Sequence, residues 1–186
     1  MRAFIGMKLD TPTKGKIANA LKPFKKIATP IRWVKPENWH LTIKFIGEVD
    51  AEKKGKITEI LKRTRFQIQP FEIVISGFGK FGRGNDLTIF WAGIEENETL
   101  KNIYTQVEDV LEKIKISREI REFKPHLTIG RNRKPFNFKS FTSLMEKNHS
   151  QPIARFKSNG FQIYQSMLTS EGPIYTILEE ITFSNA

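Results

Sequence analysis

The chain has 186 residues, which fits one domain or a compact body of two small lobes. It has no cysteine, which excludes disulfides, a thiolate metal site and a cysteine nucleophile, and no apolar run long enough to span a bilayer. Lys and Arg number 31 against 20 Asp and Glu, and the net charge of +11 points to a polyanionic partner, of which nucleic acid is the usual one.

The first ten residues, Met1 to Asp10, are too short and polar for a signal peptide, so a cytoplasmic protein is the expectation. Arg2–Lys8 reads instead as a first strand. Thr11 is a candidate N-cap with Pro12 at the first helical position, and Ile17, Ala20, Leu21 and Phe24 form the stripe of a helix. Strands are predicted near Ile31–Lys35 and over His40–Ile46. A helix after Asp50 carries Ile57, Ile60, Leu61 and Thr64 at helical spacing. Strands follow at Phe71–Phe78 and Leu87–Ile94, around a turn over Gly82–Asp86. The clearest helix follows Asn97, with Leu100, Ile103, Tyr104, Val107, Val110, Leu111 and Ile114 in an unbroken 3/4 pattern. His126–Arg131 is a strand, and a weaker helix runs through Phe141, Leu144 and Met145. Ala154–Lys157, Gly160–Met167 and Ile174–Ile181 complete the strands, the last two joined by a turn at Ser170–Pro173. Helices and strand pairs are interspersed without strict alternation, so the class is α+β with mainly antiparallel sheet.

His-Leu-Thr-Ile occurs twice, at His40–Ile43 and His126–Ile129, in a chain with only three histidines. A chance match of three following residues has odds on the order of one in a thousand. Side chains alternate along a strand, so each His shares a face with the Thr two residues on. Simple alternation places Lys44 with His40 and Thr42, and Phe45 with Leu41 and Ile43 on the packed side. It also places Arg131 on the packed side, unless a bulge at Gly130 re-aims it. Two such pairs facing one cleft suit a phosphate. The Thr hydroxyls and nearby cations bind its oxygens, one neutral imidazole takes a proton, and one protonated imidazole gives one. In-line displacement at phosphorus needs those two groups on opposite sides.

A zinc site wants three or four ligands. Glu48 and Glu122 flank the motifs at spacings that match no ligand pattern, so neither metal nor cofactor is expected. His149, in a polar stretch without the Thr, is assigned no role. The glycine-rich run Gly77–Gly84 fits neither a P-loop nor a dinucleotide fingerprint and reads as a mobile hairpin, with cations that could face phosphate.

The motif belongs to a longer repeat. Each copy is followed by a helix and then by a Pro-to-Ser-to-Gly-Phe stretch, Pro70–Phe78 and Pro152–Phe161, with spacings of 86 residues at the histidines and 82 at the prolines. Residues 1–186 therefore read as one bilobed domain formed by internal duplication. The two similar lobes of mainly antiparallel sheet carry helices on their outer faces and are related by a pseudo-twofold, with the cleft between them.

The chain resembles the 2H phosphoesterases, a family named for two His-x-Thr-x motifs, and within it the RNA 2′,3′-cyclic phosphodiesterases once called 2′-5′ RNA ligases. The resemblance runs over nearly the whole chain. It rests on Arg2–Gly6, on Arg32–Val49 around the first motif, on Pro125–Arg131 around the second, and on Ile163–Ser166 with Gly172–Tyr175 near the C-terminus. Trp39 stands where many members have Leu. The resemblance implies hydrolysis of a 2′,3′-cyclic phosphate end of RNA to a 2′-phosphate. It implies His40 as proton donor to the departing 3′-oxygen, His126 as proton acceptor that activates water, and Thr42, Thr128 and Arg131 as phosphate-binding residues. No metal is implied. The partner is RNA, with tRNA fragments as a candidate source, and neither membrane nor obligate protein partner is expected. The alternatives are a 2′-5′ RNA ligase joining RNA halves on the same site, and a non-catalytic RNA-binding module.

Overall fold

Leu41 of the first motif pairs with Leu127 of the second, and this antiparallel contact is the seam of the molecule. The structure is a computed structural model that describes residues 1–27, 30–82, 88–132, 139–149, 151–170 and 172–184. Its elements in chain order are β1 (Arg2–Lys8), α1 (Thr11–Ala20), α2 (Lys22–Lys26), β2 (Arg32–Trp33), a 3-10 turn (Pro36–Asn38), β3 (His40–Glu48), α3 (Ala51–Arg63), β4 (Phe71–Phe81), β5 (Thr88–Ile94), α4 (Glu98–Glu112), β6 (His126–Asn132), α5 (Lys139–Lys147), β7 (Pro152–Ser158), β8 (Gly160–Thr169) and β9 (Gly172–Thr182).

The strands form one sheet in the order β7-β4-β5-β6-β3-β1-β8-β9, with β2 added along β6. All strand pairings are antiparallel. The seam between β6 and β3 divides it into two four-stranded lobes. The first holds β3, β1, β8 and β9, and the second β6, β5, β4 and β7. The expected α+β class and two-lobed antiparallel plan are both present. The two Pro-to-Ser stretches do not lie one in each lobe, however. They pair with each other, Phe71 opposite Ser158 and Ser76 opposite Pro152, as neighbouring strands of the second lobe.

Helices cover one face of the sheet. α3 and α4 pack on the first lobe, against β9 and β3, and α1 and α5 on the second, against β7 and β4. Asp10, not Thr11, caps α1: its carboxylate accepts the Thr13 N–H at 2.7 Å, and Thr11 is the first helical residue. Asp50 and Asn97 cap α3 and α4 in the same way. The periodic residues predicted for α4 bury Leu100, Ile103, Val107, Val110 and Leu111 against the sheet. Leu41, Ile43, Leu127 and Ile129 meet the helices from the other side, each no more than 3% exposed. Each such side chain contributes about 1.5–3 kcal/mol of burial, so the strands carrying the motifs are anchored through their apolar halves.

The glycine-rich run is strand through Phe81, and that strand pairs with β5 as one arm of the expected hairpin. A Cβ on Gly79 would come within 2.2 Å of the Trp91 ring, which lies across the sheet there. Most of the turn after it, residues 83–87, and Glu171 of the later turn lie outside the described residues.

Candidate active site

The seam sets the geometry. Continuing the Leu41–Leu127 register one residue each way puts His40 across from Thr128 and Thr42 across from His126. Both leucines are fully buried, so by alternation all four polar side chains occupy the opposite, open face. They form a two-by-two patch. The two histidines are diagonal neighbours, about 7–8 Å apart at the backbone.

Alternation fails one residue later, in both strands. On β3, Ile5 pairs with Lys44 and Gly6 with Thr42, leaving Ile43 as the extra residue of a bulge. On β6, Phe90 pairs with Gly130 and Trp91 with Thr128, leaving Ile129 extra. Two consecutive residues therefore face the core, and the next returns to the open face. The bulge considered at Gly130 is present and brings Arg131 to the site side. Its twin on β3 corrects the simple parity: Lys44 is buried at 5% exposure, and Phe45 is turned outward at 68%.

Burying Lys44 requires full compensation. Its Nζ donates to both Glu108 carboxylate oxygens of α4 at 2.7 Å and to the Ser117 carbonyl at 2.9 Å. In the second lobe the matching residue is Gly130, where a Cβ would lie 2.8 Å from Ile31. A buried ion pair occupies one lobe at the place where the other brings in β2.

Both imidazoles are tied back identically. Nδ1 of His40 lies 2.7 Å from the Asn38 carbonyl, and Nδ1 of His126 lies 2.7 Å from the Lys124 carbonyl. A carbonyl can only accept, so each Nδ1 carries the hydrogen. Nε2 is left as the nitrogen that exchanges protons. Each ring also meets an aromatic edge-to-face: Tyr175 at 4.9 Å from His40 and Phe81 at 5.0 Å from His126. His40 is further enclosed by Phe4 at 4.6 Å, with Tyr164 stacked behind Phe4 at 4.8 Å.

Burial pushes the pKa of His40 from the ordinary 6.5 down to about 4, against the upward pull of the Asn38 carbonyl; the charges of Arg131, His126 and Lys14 push it further down. Burial also lowers His126, again opposed by its carbonyl partner. Both rings are therefore neutral near pH 7 in the free protein. An anion bound beside the rings would raise both, because an opposite charge favours the protonated imidazole.

The structure thus brings together His40, Thr42, His126, Thr128 and Arg131, the five residues singled out from the sequence. His149 caps the end of α5, with its backbone N–H on the Glu146 carbonyl. Asn38, Lys124, Phe4, Phe81, Tyr164, Tyr175 and the Lys44–Glu108 pair were not singled out. Glu108 carried a signal as an acid among the apolar residues of α4, and Phe4, Asn38, Tyr164 and Tyr175 lie within the stretches that carry the family resemblance. Among the described residues, no three His, Cys, Asp or Glu side chains gather as a metal site requires, and no helix is long and apolar enough to cross a membrane.

The fold and this paired His-x-Thr patch define a phosphoesterase of the two-histidine type. The model for LigT-like phosphoesterases matches residues 8–91 and again 93–175, and the chain belongs to this family. It is 34% identical over 180 residues to the RNA 2′,3′-cyclic phosphodiesterase of Methanocaldococcus jannaschii, covering 97% of this chain and 99% of the relative. It is 34% identical over 183 residues to the enzyme of the same name from Thermotoga maritima, covering 98% and 96%. Among solved structures, apo LigT of E. coli superposes with a TM-score of 0.77 at 21% identity over 99% of this chain and 98% of that one.

Proposed function

We propose that this chain hydrolyses 2′,3′-cyclic phosphate ends of RNA to 2′-phosphomonoester ends by acid–base catalysis between His40 and His126. The observation that carries this reading is the Leu41–Leu127 seam, which sets two His-Thr pairs side by side on one open face. The names of the relatives supply the reaction class.

The cyclic phosphodiester sits over the patch. Thr42 and Thr128 donate hydrogen bonds to its non-bridging oxygens, and the Arg131 guanidinium adds charge to them. Nε2 of neutral His126 takes a proton from water as the water oxygen bonds to phosphorus. The bond from phosphorus to the 3′-oxygen breaks in line, and that oxygen takes the proton from Nε2 of protonated His40. The phosphate stays on the 2′-oxygen, and the two rings exchange roles with solvent before the next turnover. Because His40 serves the leaving ribose oxygen, the RNA lies over the first lobe. There Phe45 stands exposed beside Phe4, at 5.9 Å between ring centres, and offers a face to the terminal base. Residues 1–186 act as one bilobed unit, a view supported by the family model matching each half in turn. The substrate pool is cytoplasmic RNA, tRNA fragments included, attracted by the net charge of +11.

Product analysis on an RNA with a 2′,3′-cyclic end tests this directly. The expected product carries a 2′-phosphate. A 2′-5′ joined strand as the main product would make the chain a ligase, and bound but unaltered RNA would make it a binding module.

A further inference from the structure

His40 owes its setting to more than its own strand. The residue two before it, Asn38, closes the 3-10 turn, with its N–H on the Lys35 carbonyl at 2.9 Å. Its own carbonyl accepts the Nδ1–H of His40. Its side-chain Nδ2 donates to the Pro173 carbonyl at 2.8 Å, near the tip of the β8–β9 hairpin. Two residues beyond Pro173 is Tyr175, the ring that meets both His40 (4.9 Å, 85°) and Phe4 (5.1 Å, 79°) edge-on.

The hairpin needs such a tie. β9 is the last strand in the sheet order and pairs only with β8. Its tip has little apolar anchorage, with Met167 52%, Leu168 65% and Ile174 49% exposed. His126 is arranged differently. Lys124 supplies the matching carbonyl, but its side chain turns to Glu122 in an exposed ion pair. Phe81, the ring against His126, comes from the last residue of β4, where that strand pairs with β5 alone, β7 having left it at Ser76.

We propose that Asn38 is the positioning residue of His40, a two-ended latch whose carbonyl fixes the ring's Nδ1–H and whose amide holds the β8–β9 hairpin so that Tyr175 lies against the ring. Both ends act on one imidazole. The carbonyl sets which nitrogen faces the phosphate, and the hairpin sets the tilt of the ring and shields it from water. With the amide removed, the hairpin loses its tie to the 3-10 turn and keeps its pairing to β8 and the edge contacts of Tyr175. Those edge contacts then give way as Tyr175 withdraws, and His40 gains both solvent and rotational freedom. Misplacing a reacting group by about 1 Å costs on the order of 100-fold in rate.

The test compares Asn38→Ala, Tyr175→Ala and the double variant with the parent. His40 and His126 are titrated by NMR in the substrate-free protein, and hydrolysis of a cyclic-phosphate RNA end is measured alongside. Burial is the main cause of the low pKa of His40, so in Asn38→Ala its titration moves up from about 4 toward 6.5, although Arg131, His126 and Lys14 still oppose its charging. The titration of His126 stays in place. The kcat falls about 10- to 100-fold with KM little changed, and the double variant is no slower than the slower single. Tyr175→Phe, which keeps the ring, leaves the His40 titration at its parent value. The kcat arm rests on the hydrolase reading and the titration does not, so a shifted His40 in a chain without hydrolase activity would uphold the latch and overturn the activity. An Asn38→Ala protein with parental His40 titration, even if less heat-stable, would overturn the latch.

Discussion

The two motif strands begin alike and then diverge. Both read His-Leu-Thr-Ile, both place a bulge after the Thr, and both tie Nδ1 to the carbonyl two residues back. Past the bulge the first strand has Lys44-Phe45 and the second Gly130-Arg131. On the proposed function, the shared part supplies the group needed on each side of phosphorus. The divergent part makes the two sides different: an aromatic face and enclosed imidazole in the first lobe, a guanidinium and more open imidazole in the second. Equal tetrapeptides thus yield unequal histidines, and the inequality comes from what the lobes bring up around them.

The shared part should carry the largest effects. His40→Ala and His126→Ala should each lower turnover about 10³-fold or more, since each deletes one proton transfer. The double variant should be little worse than either, because the pair acts as a unit. Single-turnover hydrolysis with circular dichroism as a folding control measures this. A folded single variant with near-parental turnover would break the comparison at its root.

The buried half of the divergence should appear in stability. Lys44→Met leaves the Glu108 carboxylate buried without its cation and should cost about 3–5 kcal/mol. Lys44→Met with Glu108→Leu should recover most of that loss, read from denaturant unfolding. A single variant as stable as the parent would mean that the ion pair contributes nothing to holding β3 on α4.

The exposed half should split by kinetic constant. Arg131→Ala should lower kcat about 10²-fold, since its charge meets charge developing on phosphoryl oxygens. Phe45→Ala should mainly raise KM, by about 5- to 150-fold, matching the roughly 1–3 kcal/mol of one base stacked on an aromatic. Equal losses in the same constant at both positions would show that the lobes do not divide the substrate between them.

Much of this plan was legible in the sequence because hydrophobic period and repetition are local signals. Helices α3 and α4, the motif strands and the two His-Thr pairs announce themselves by spacing, whereas Arg131 enters only through the family resemblance, since strict alternation places it on the packed side. The bulges were legible only where a residue marked one. Gly130 hinted that the second strand bends, whereas Lys44 gives no such mark, so strict alternation misplaces both Lys44 and Phe45. Strand order was not legible either. The stretches Pro70–Phe78 and Pro152–Phe161 look like copies in separate lobes, yet most of their length pairs within one, because nothing local records which edge a strand joins. Asn38 and Tyr175 reach His40 through contacts distant in sequence or through backbone atoms, which residue type does not encode.

The central claim is that one imidazole must be neutral and the other charged, with the substrate's own charge making the charged one possible. The pH dependence of kcat and kcat/KM tests it most directly. Burial lowers both histidines in the free protein, His40 to about 4, so the kcat/KM bell, which reports the free enzyme, should lie on the acid side. A bound phosphodiester raises both pKa values, so the kcat bell should lie at higher pH. Residual activity of His126→Ala should lose the rising acid limb, and that of His40→Ala the falling alkaline limb. Coincident profiles for the two constants, or single variants that keep both limbs, would contradict the account.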